Sequence, residues 1–289
     1  AVENMQSVTI FDKFTYASNP RNYAKFLGDP RLKIVIGDIC NPAELEKAMI
    51  QHDIVIHFAA ESHVDRSIEN ASEFVRTNVM GTYNVLESSR KLQVKTVIHV
   101  STDEVYGSLN AKESSFTVDS PYRPNSPYSA TKAASDLLVR SYFKTYKLPA
   151  IVTNCSNNYG PRQHVEKFIP TCIRKLKNKE PIPIYGTGEN VRDWIYVKDH
   201  VNCVWDVLER GDIGKQYLIG GDNEISNFDL IHILAEEYKN ITNKELPPEW
   251  FKFVEDRKGH DLRYAIDNSD FKLDFPNWKA SDFKQSIKE

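Results

Sequence analysis

A doubly wound α/β fold with a smaller mixed lobe is predicted by three features of this 289-residue chain. Five short, β-branched, nearly continuous apolar runs lie between Val8 and Thr153. Helix-like stretches alternate with several of them. After Asn154 the texture changes to short segments punctuated by Pro and Gly.

The runs are Val8 to Phe11, Lys33 to Gly37, Asp53 to Phe58, Lys95 to Val100 and Ala150 to Thr153. They do not alternate apolar with polar residues, so they suit strands buried on both faces of a parallel sheet. Helices are predicted over Pro42 to Gln51, Ala71 to Leu92 and Ser126 to Tyr146. Such βαβα alternation argues for helices covering a parallel sheet. In the later part, Glu166 to Asn178, Val197 to Glu209 and Asn227 to Asn240 read as amphipathic helices.

Composition narrows the function classes. Lys plus Arg total 37 and Asp plus Glu 40, a net charge of -3. A nucleic-acid binder needs a basic surplus to displace counterions, and there is none. The densest basic stretch, Lys167 to Lys179, reads as a solvated helix face or as a wall facing a phosphorylated ligand. No apolar run approaches the roughly 18–20 residues of a membrane span. The first residues lack a basic segment leading into an apolar one, so no signal peptide is visible. Four Cys without a C-x-x-C pair fit a reducing compartment, and a cytoplasmic location is predicted. The eight His show no metal-ligand spacing, so no metal is predicted.

Asp12 closes the first apolar run. An acidic residue ending the second strand of a dinucleotide-binding βαβ unit hydrogen-bonds the adenine ribose, although an Asp after a strand is often only a turn residue. Asp38 sits similarly after the second run. The Gly-rich turn should lie about 20 residues before the acidic residue, upstream of Ala1. The lone G-x-G, Gly186-Thr187-Gly188, lies elsewhere. A preceding segment of roughly 20–30 residues with the first strand and Gly turn is therefore expected to be absent from this chain. Its 12 Gly fall below the average of about 7%. Phe283 to Glu289 read as a helix stopped midway.

Tyr128 and Lys132 form Y-x-x-x-K, one helical turn apart. An ammonium there would lower the phenol's pKa towards neutrality and make it a general base, although chance spacing on a surface helix is common. Thr102, Asp103 and Glu104 follow the fourth run, at the strand end where open α/β sheets bind ligands. Adjacent carboxyls can be split into an acid and a base by their surroundings. A solvated acidic turn is the plain alternative.

With these motifs, the chain resembles the extended short-chain dehydrogenase/reductases and, within them, the dTDP-glucose 4,6-dehydratases. The carrying segments include HFAAESHVDRS, NVMGTYNVLE, STDEVYG, NSPYSATKAASD, VTNCSNNYGP and PIYGTGENVRDWIYVKDH. Related epimerases and decarboxylases share Y-x-x-x-K but usually lack the Asp of the acidic pair.

The resemblance implies a Rossmann-type fold and NAD as cofactor. It puts Asp12, Lys13 and Thr15 at the adenosine, Asp38 and Ile39 at the adenine, and Phe58, Ala59, Ala60 and Thr77 along the middle. Tyr128 and Lys132 would hold the nicotinamide ribose, with Asn158 nearby. Ser62, Thr102, Asn157, Lys167, Phe168, Pro183, Tyr185, Arg192, Asn227, Arg257 and His260 would contact a nucleotide-diphosphate sugar. Thr102, Asp103, Glu104, Tyr128 and Lys132 form the implied catalytic set. Residues 1–155 with about 190–212 would bind the cofactor, and about 156–189 with 213–289 the sugar nucleotide. A homodimer through the helices at 71–92 and 126–146 is implied as well, without nucleic-acid or membrane partners. Three alternatives stay open: a UDP-glucose dehydratase, a sugar-nucleotide 4-epimerase or decarboxylase, and a non-catalytic nucleotide-binding protein.

Overall fold

The computed structural model describes Met5 and residues 7–289. Ala1 to Asn4 and Gln6, which belong to the stretch read above for a signal peptide and a missing strand, lie outside the described residues. In chain order the elements are β1 (Val8–Asp12), β2 (Leu32–Ile36), α1 (Pro42–Met49), β3 (Ile54–His57), α2 (Val64–Glu69), α3 (Ala71–Phe74), α4 (Thr82–Lys91), β4 (Thr96–Thr102) and α5 (Pro127–Tyr146). There follow β5 (Ala150–Cys155), β6 (Asn157–Tyr159), α6 (Phe168–Asn178), β7 (Ile182–Tyr185), β8 (Val191–Tyr196), α7 (Val197–Arg210), β9 (Gln216–Ile219), β10 (Glu224–Ser226), α8 (Asn227–Thr242), β11 (Phe251–Val254), α9 (Ser269–Asp274) and α10 (Phe283–Ser286). All five predicted strands of the first half form within a residue or two of their apolar runs.

The chain makes two compact units. The first comprises residues 1–101, 130–152 and 212–215, and the second 102–129, 153–211 and 216–289. Compactness and ligand binding divide a chain differently, and here 102–129 and 190–211 fall in the second unit. Local pairing explains this. Leu109 and Phe116 bridge to Arg263 and Ile266, and β8 pairs with both β6 and β10.

In the first unit β1 and β2 run parallel, with Asp12 opposite Ile36. β3 and β4 are also parallel, with His57 opposite His99. β3 and β4 belong to a sheet that does not include the β1-β2 pair. The predicted parallel α/β architecture is thus present as two sheets. The helix at 42–49 starts as its sequence dictates: Asn41 accepts from the Glu44 amide, and Pro42 occupies the first turn. Between α3 and α4 the helix widens into a π segment, Val75–Gly81. A Cβ on Gly81 would lie 2.4 Å from Ile39 Cδ1, so any other residue there requires the Ile39 side chain to shift. Leu45, Met49, Leu86, Val97, Val139 and Val152 meet in the core.

The second unit pairs β6 and β8 in parallel, β10 and β8 antiparallel, and β7 and β11 in parallel. α6 buries Ile169, Cys172 and Leu176, the amphipathic stripe its sequence predicts. They pack with Ile182, Ile184 and Leu230. Among the described residues, no helix is long and apolar enough to cross a membrane.

Gly107, directly after the Asp103–Tyr106 turn, has φ +89, and a Cβ there would sit 2.2 Å from the Arg123 carbonyl oxygen. Gly107→Ala combines left-handed strain with overpacking and is expected to destabilise the protein by about 3 kcal/mol. A lower urea midpoint at unchanged slope is the readout; an unaltered midpoint would exclude this account.

Candidate active site

The site is built from the carboxyl end of β4. Thr102 caps a 3₁₀ turn over Asp103–Tyr106, where its Oγ1 accepts from the Glu104 amide at 3.3 Å and donates to Asp103 Oδ1 at 3.2 Å. Its carbonyl accepts from Asn154 Nδ2 at 3.0 Å. Asn154 Oδ1 in turn accepts from Gln216 Nε2, which also lies 2.7 Å from Tyr106 Oη and 2.9 Å from Tyr122 Oη. One amide thus ties the turn to two further segments.

Asp103 is 1% exposed, and its Oδ2 is sealed from water with no hydrogen-bond partner among the described residues. Burial first, then the Glu104 charge, hold its carboxyl well above the ordinary range, which favours the protonated acid. Burial also raises Glu104, but Arg192, then Lys167 and further down Arg257, pull it back. Adjacent carboxyls in unequal surroundings are the arrangement that separates an acid from a base. Arg192 is buried and held by backbone oxygens: Nη2 donates to Asp261 at 2.9 Å and Nη1 to Val191 at 2.7 Å. Carbonyl ligands fix a guanidinium without neutralising it, which leaves its charge for an anion.

Tyr128 stands in the first turn of α5, as the Pro-rich entry predicts. The Y-x-x-x-K spacing predicts a lowered phenol, and the structure has a raised one. Burial dominates, the Glu104 carboxylate adds to it, and a hydrogen bond with Thr102 offsets only part. Lys132, one turn on, is 4% exposed and donates to the Val100 carbonyl at 2.8 Å. In the first unit, Asn78 of the π segment joins this helix to the loop after β3. Its Nδ2 donates to Thr131 Oγ1 and to the Glu61 carbonyl, both at 3.0 Å, and its Oδ1 accepts from the Glu61 amide at 2.8 Å. Nearby, His99 Nε2 lies 3.2 Å from Asp136 Oδ1, both side chains buried.

Nine residues scattered in sequence share one cavity of about 460 Å³ in the first unit. Asp12, Lys13, Thr15, Asp38, Ile39, Phe58, Ala59, Ala60 and Thr77 all line it. Asp12 also acts as the turn residue of its plainer reading, accepting from the Phe14 amide at 2.6 Å. Lys13 Nζ is 3.0 Å from Asp38 Oδ2, and Arg76, which the sequence reading missed, is 3.7 Å from the same oxygen. Tyr128, Lys132 and Asn158 are not part of that lining.

Of the predicted ligand contacts, Ser62 falls in the first unit and the other ten in the second. Lys167 and Phe168 stand at the start of α6, Pro183 and Tyr185 on β7, and Asn227 at the start of α8. Arg257 lies 5.1 Å over the Tyr185 ring, and His260 Nδ1 is 2.7 Å from Asp256 Oδ1. Asn157 keeps a buried Oδ1 without a hydrogen-bond partner among the described residues, whereas the Asn158 carboxamide is occupied by neighbours of its own unit. Asn78, Asn154, Gln216 and Asp261 escaped the sequence reading. Their signal was a polar residue inside or beside an apolar run.

A Rossmann-like α/β frame with a buried Thr-Asp-Glu turn and a Tyr/Lys helix defines a class of nucleotide-sugar enzymes. The chain matches the GDP-mannose 4,6 dehydratase profile over residues 2–289 and belongs to that family. It is 48% identical over 264 residues to a dTDP-glucose 4,6-dehydratase of Streptomyces griseus, covering 91% of this chain and 77% of the relative. It is 41% identical over 304 residues to the dTDP-glucose 4,6-dehydratase of Neisseria gonorrhoeae, covering 98% and 86%. Among solved structures, the Streptomyces venezuelae dTDP-glucose 4,6-dehydratase DesIV, with NAD bound, superposes with a TM-score of 0.93 at 42% identity, covering 98% of this chain and 85% of that one.

The raised carboxyl of Asp103 has a stability signature. Its carboxyl is raised in the folded state, so above a pH of about 4 the unfolded chain ionises while the folded one resists. Asp103 therefore costs stability at neutral pH, and the cost fades as pH falls. Asp103→Asn is expected to raise stability by about 1–3 kcal/mol at neutral pH and to give no gain near pH 4. Thermal melts at the two pH values decide; an equal effect at both would contradict the assignment.

Proposed function

We propose that this chain is an NAD-dependent dTDP-glucose 4,6-dehydratase, a hydro-lyase yielding the 4-keto-6-deoxy sugar nucleotide. The carrying observation is the split carboxyl pair, with buried Asp103 Oδ2 unsatisfied beside a Glu104 drawn towards ionisation by Arg192 and Lys167. Epimerisation at C4 requires no acid for a departing hydroxyl, so this pair favours dehydration.

The first unit suits NAD. Its shared cavity offers a carboxylate at a strand end for a ribose and apolar Ile39, Phe58 and Ala59 for flat rings. When bound, NAD accepts a hydride from C4 of the sugar and returns it at C6, so it is unchanged over a turnover. The protein's part is proton handling and placement. Tyr128 takes the proton of the 4-hydroxyl, and Thr102 hydrogen-bonds the same oxygen. The raised phenol of Tyr128 in the protein by itself calls for help from the Lys132 ammonium and from positive charge brought by the cofactor. The 4-ketone acidifies C5, from which Glu104 removes the proton while Asp103 protonates the departing 6-hydroxyl, and a proton returns to C5 as hydride returns to C6. Lys132 fixes the cofactor ribose. Arg192, with Lys167 and Arg257, meets the diphosphate, and Pro183, Tyr185 and Asn227 hold the nucleoside end. On this reading 1–155 with about 190–212 serves the cofactor and the remainder the sugar nucleotide. The reaction suits a cytoplasmic enzyme, where nucleotide sugars and NAD coexist.

Dimerisation through the helices of the first unit is part of the proposal. Val75, Met80 and Tyr83 on the 71–91 segment and Leu137 on α5 are 40% exposed or more, whereas Ala133 is buried and Leu138 packs on the core. A double change, Tyr83→Glu with Leu137→Glu, is expected to shift the protein from dimer to monomer in light scattering. A monomeric wild type, or an unshifted dimer in the variant, would refute this face.

Turnover is tested with dTDP-glucose against UDP-glucose, the product being lighter by one water. Tyr128→Phe is expected to lose at least about 100-fold in kcat. Asp103→Asn should still oxidise C4, seen as NADH absorbance in a single turnover, and fail to dehydrate. Products of unchanged mass from the wild type would turn the reading to an epimerase.

A further inference from the structure

The sequence pattern VKDH, at the start of α7, has no place in the chemistry above. Its His200 is 5% exposed, and its Nδ1 lies 2.9 Å from Asn158 Oδ1. The network fixes both groups. Asn158 Nδ2 donates to the Ser156 carbonyl at 3.2 Å and to Cys155 Sγ at 3.4 Å, so the other amide atom, facing His200, is the oxygen. His200 must then carry its proton on Nδ1. Its Nε2 is left as a buried acceptor without a partner among the described residues. Burial holds the ring neutral, down to about 4. Gln163 Nε2 adds a second grip on the same residue, donating to the Asn158 carbonyl at 2.8 Å.

Asn157 and Asn158 are successive residues of β6, and successive side chains of a strand point to opposite faces. Asn158 turns its Oδ1 towards His200 of α7, while its Nδ2 is taken by the Ser156 carbonyl and Cys155 Sγ. Asn157 is thereby presented on the other face, with a buried Oδ1 that has no hydrogen-bond partner among the described residues. An acceptor sealed in this way awaits a donor from a ligand, such as a sugar hydroxyl.

We propose that His200 is a positioning residue: by clamping Asn158 it fixes the twist of β6, so that Asn157 Oδ1 is aimed to accept a hydroxyl of the sugar nucleotide. The proposal rests on the dehydratase reading for its ligand, but not for the clamp itself. His200 touches no reacting atom. It acts through strand register, so its effect falls on substrate binding rather than on the hydride or proton steps.

The test compares His200→Leu, which removes the donor, with His200→Asn, whose amide nitrogen can replace Nδ1. Two readouts are taken on the full chain. Exchange of the Asn157 and Asn158 side-chain amide protons, followed by NMR, is expected to rise about tenfold or more in the Leu variant and to stay near wild type in the Asn variant. With dTDP-glucose, KM is expected to rise about tenfold in the Leu variant at nearly unchanged kcat, with rescue by Asn. In a double-mutant cycle, Asn157→Ala should mask the His200→Leu effect on KM. Equal behaviour of the two His200 variants, unchanged exchange, or additive KM effects would overturn the clamp. A fall in kcat alone would overturn the substrate role. A wild type that does not turn over dTDP-glucose would refute the function, while the exchange data still decide whether His200 holds Asn158.

Discussion

Asp103 keeps one carboxyl oxygen in a dry pocket with no hydrogen bond, and the surrounding part of the second unit is arranged to tolerate this. An unsatisfied buried carboxyl is destabilising unless it stays neutral. Burial, and then the Glu104 charge beside it, favour the neutral form. Burial raises Glu104 as well, and Arg192, itself fixed by the Asp261 and Val191 carbonyls, draws it part of the way back. The turn carrying both acids is held by Thr102, Asn154 and Gln216, none of which needs to touch a substrate for the pair to stay divided.

The first unit meets a similar demand with different groups. Lys132 is a buried ammonium that reaches a backbone oxygen, and His99 and Asp136 lie on the same strand and helix that carry it. Asn78 needs the π segment. An ordinary helical repeat over 75–81 would turn its carboxamide away from Glu61 and Thr131. Irregular backbone appears here where polar groups must meet inside a core, which is where its cost is repaid in geometry.

Much of this was legible in the residues. The strands of the first half were visible because a strand covered on both faces must be apolar at every position, and the helices because a half-buried helix must be striped. Thr102, Asp103 and Glu104 were recognisable by their place after a strand. Other features had no local signal. Gln216 was one polar residue opening a strand, and nothing in its neighbourhood of sequence pointed to Tyr106, Tyr122 and Asn154. The π widening at 75–81 reads as plain helix, with no local signal of the Ile39 side chain that packs on Gly81. The raised phenol of Tyr128 had no local signal, because spacing along a helix reports the Lys132 ammonium and not burial.

Local sequence by itself determined the parallel α/β class, the position of each early strand, the capped start of α1 and the identity of the acid pair, since these depend on residues within a turn or a run of one another. Tertiary structure alone decided how far each carboxyl is raised, which of Asn157 and Asn158 keeps an unsatisfied buried oxygen among the described residues, and that residues from Asp12 to Thr77 share one cavity. Those outcomes depend on burial and on charges brought from remote parts of the chain. Desolvation and long-range Coulomb terms are properties of a folded neighbourhood, and a linear sequence does not contain them.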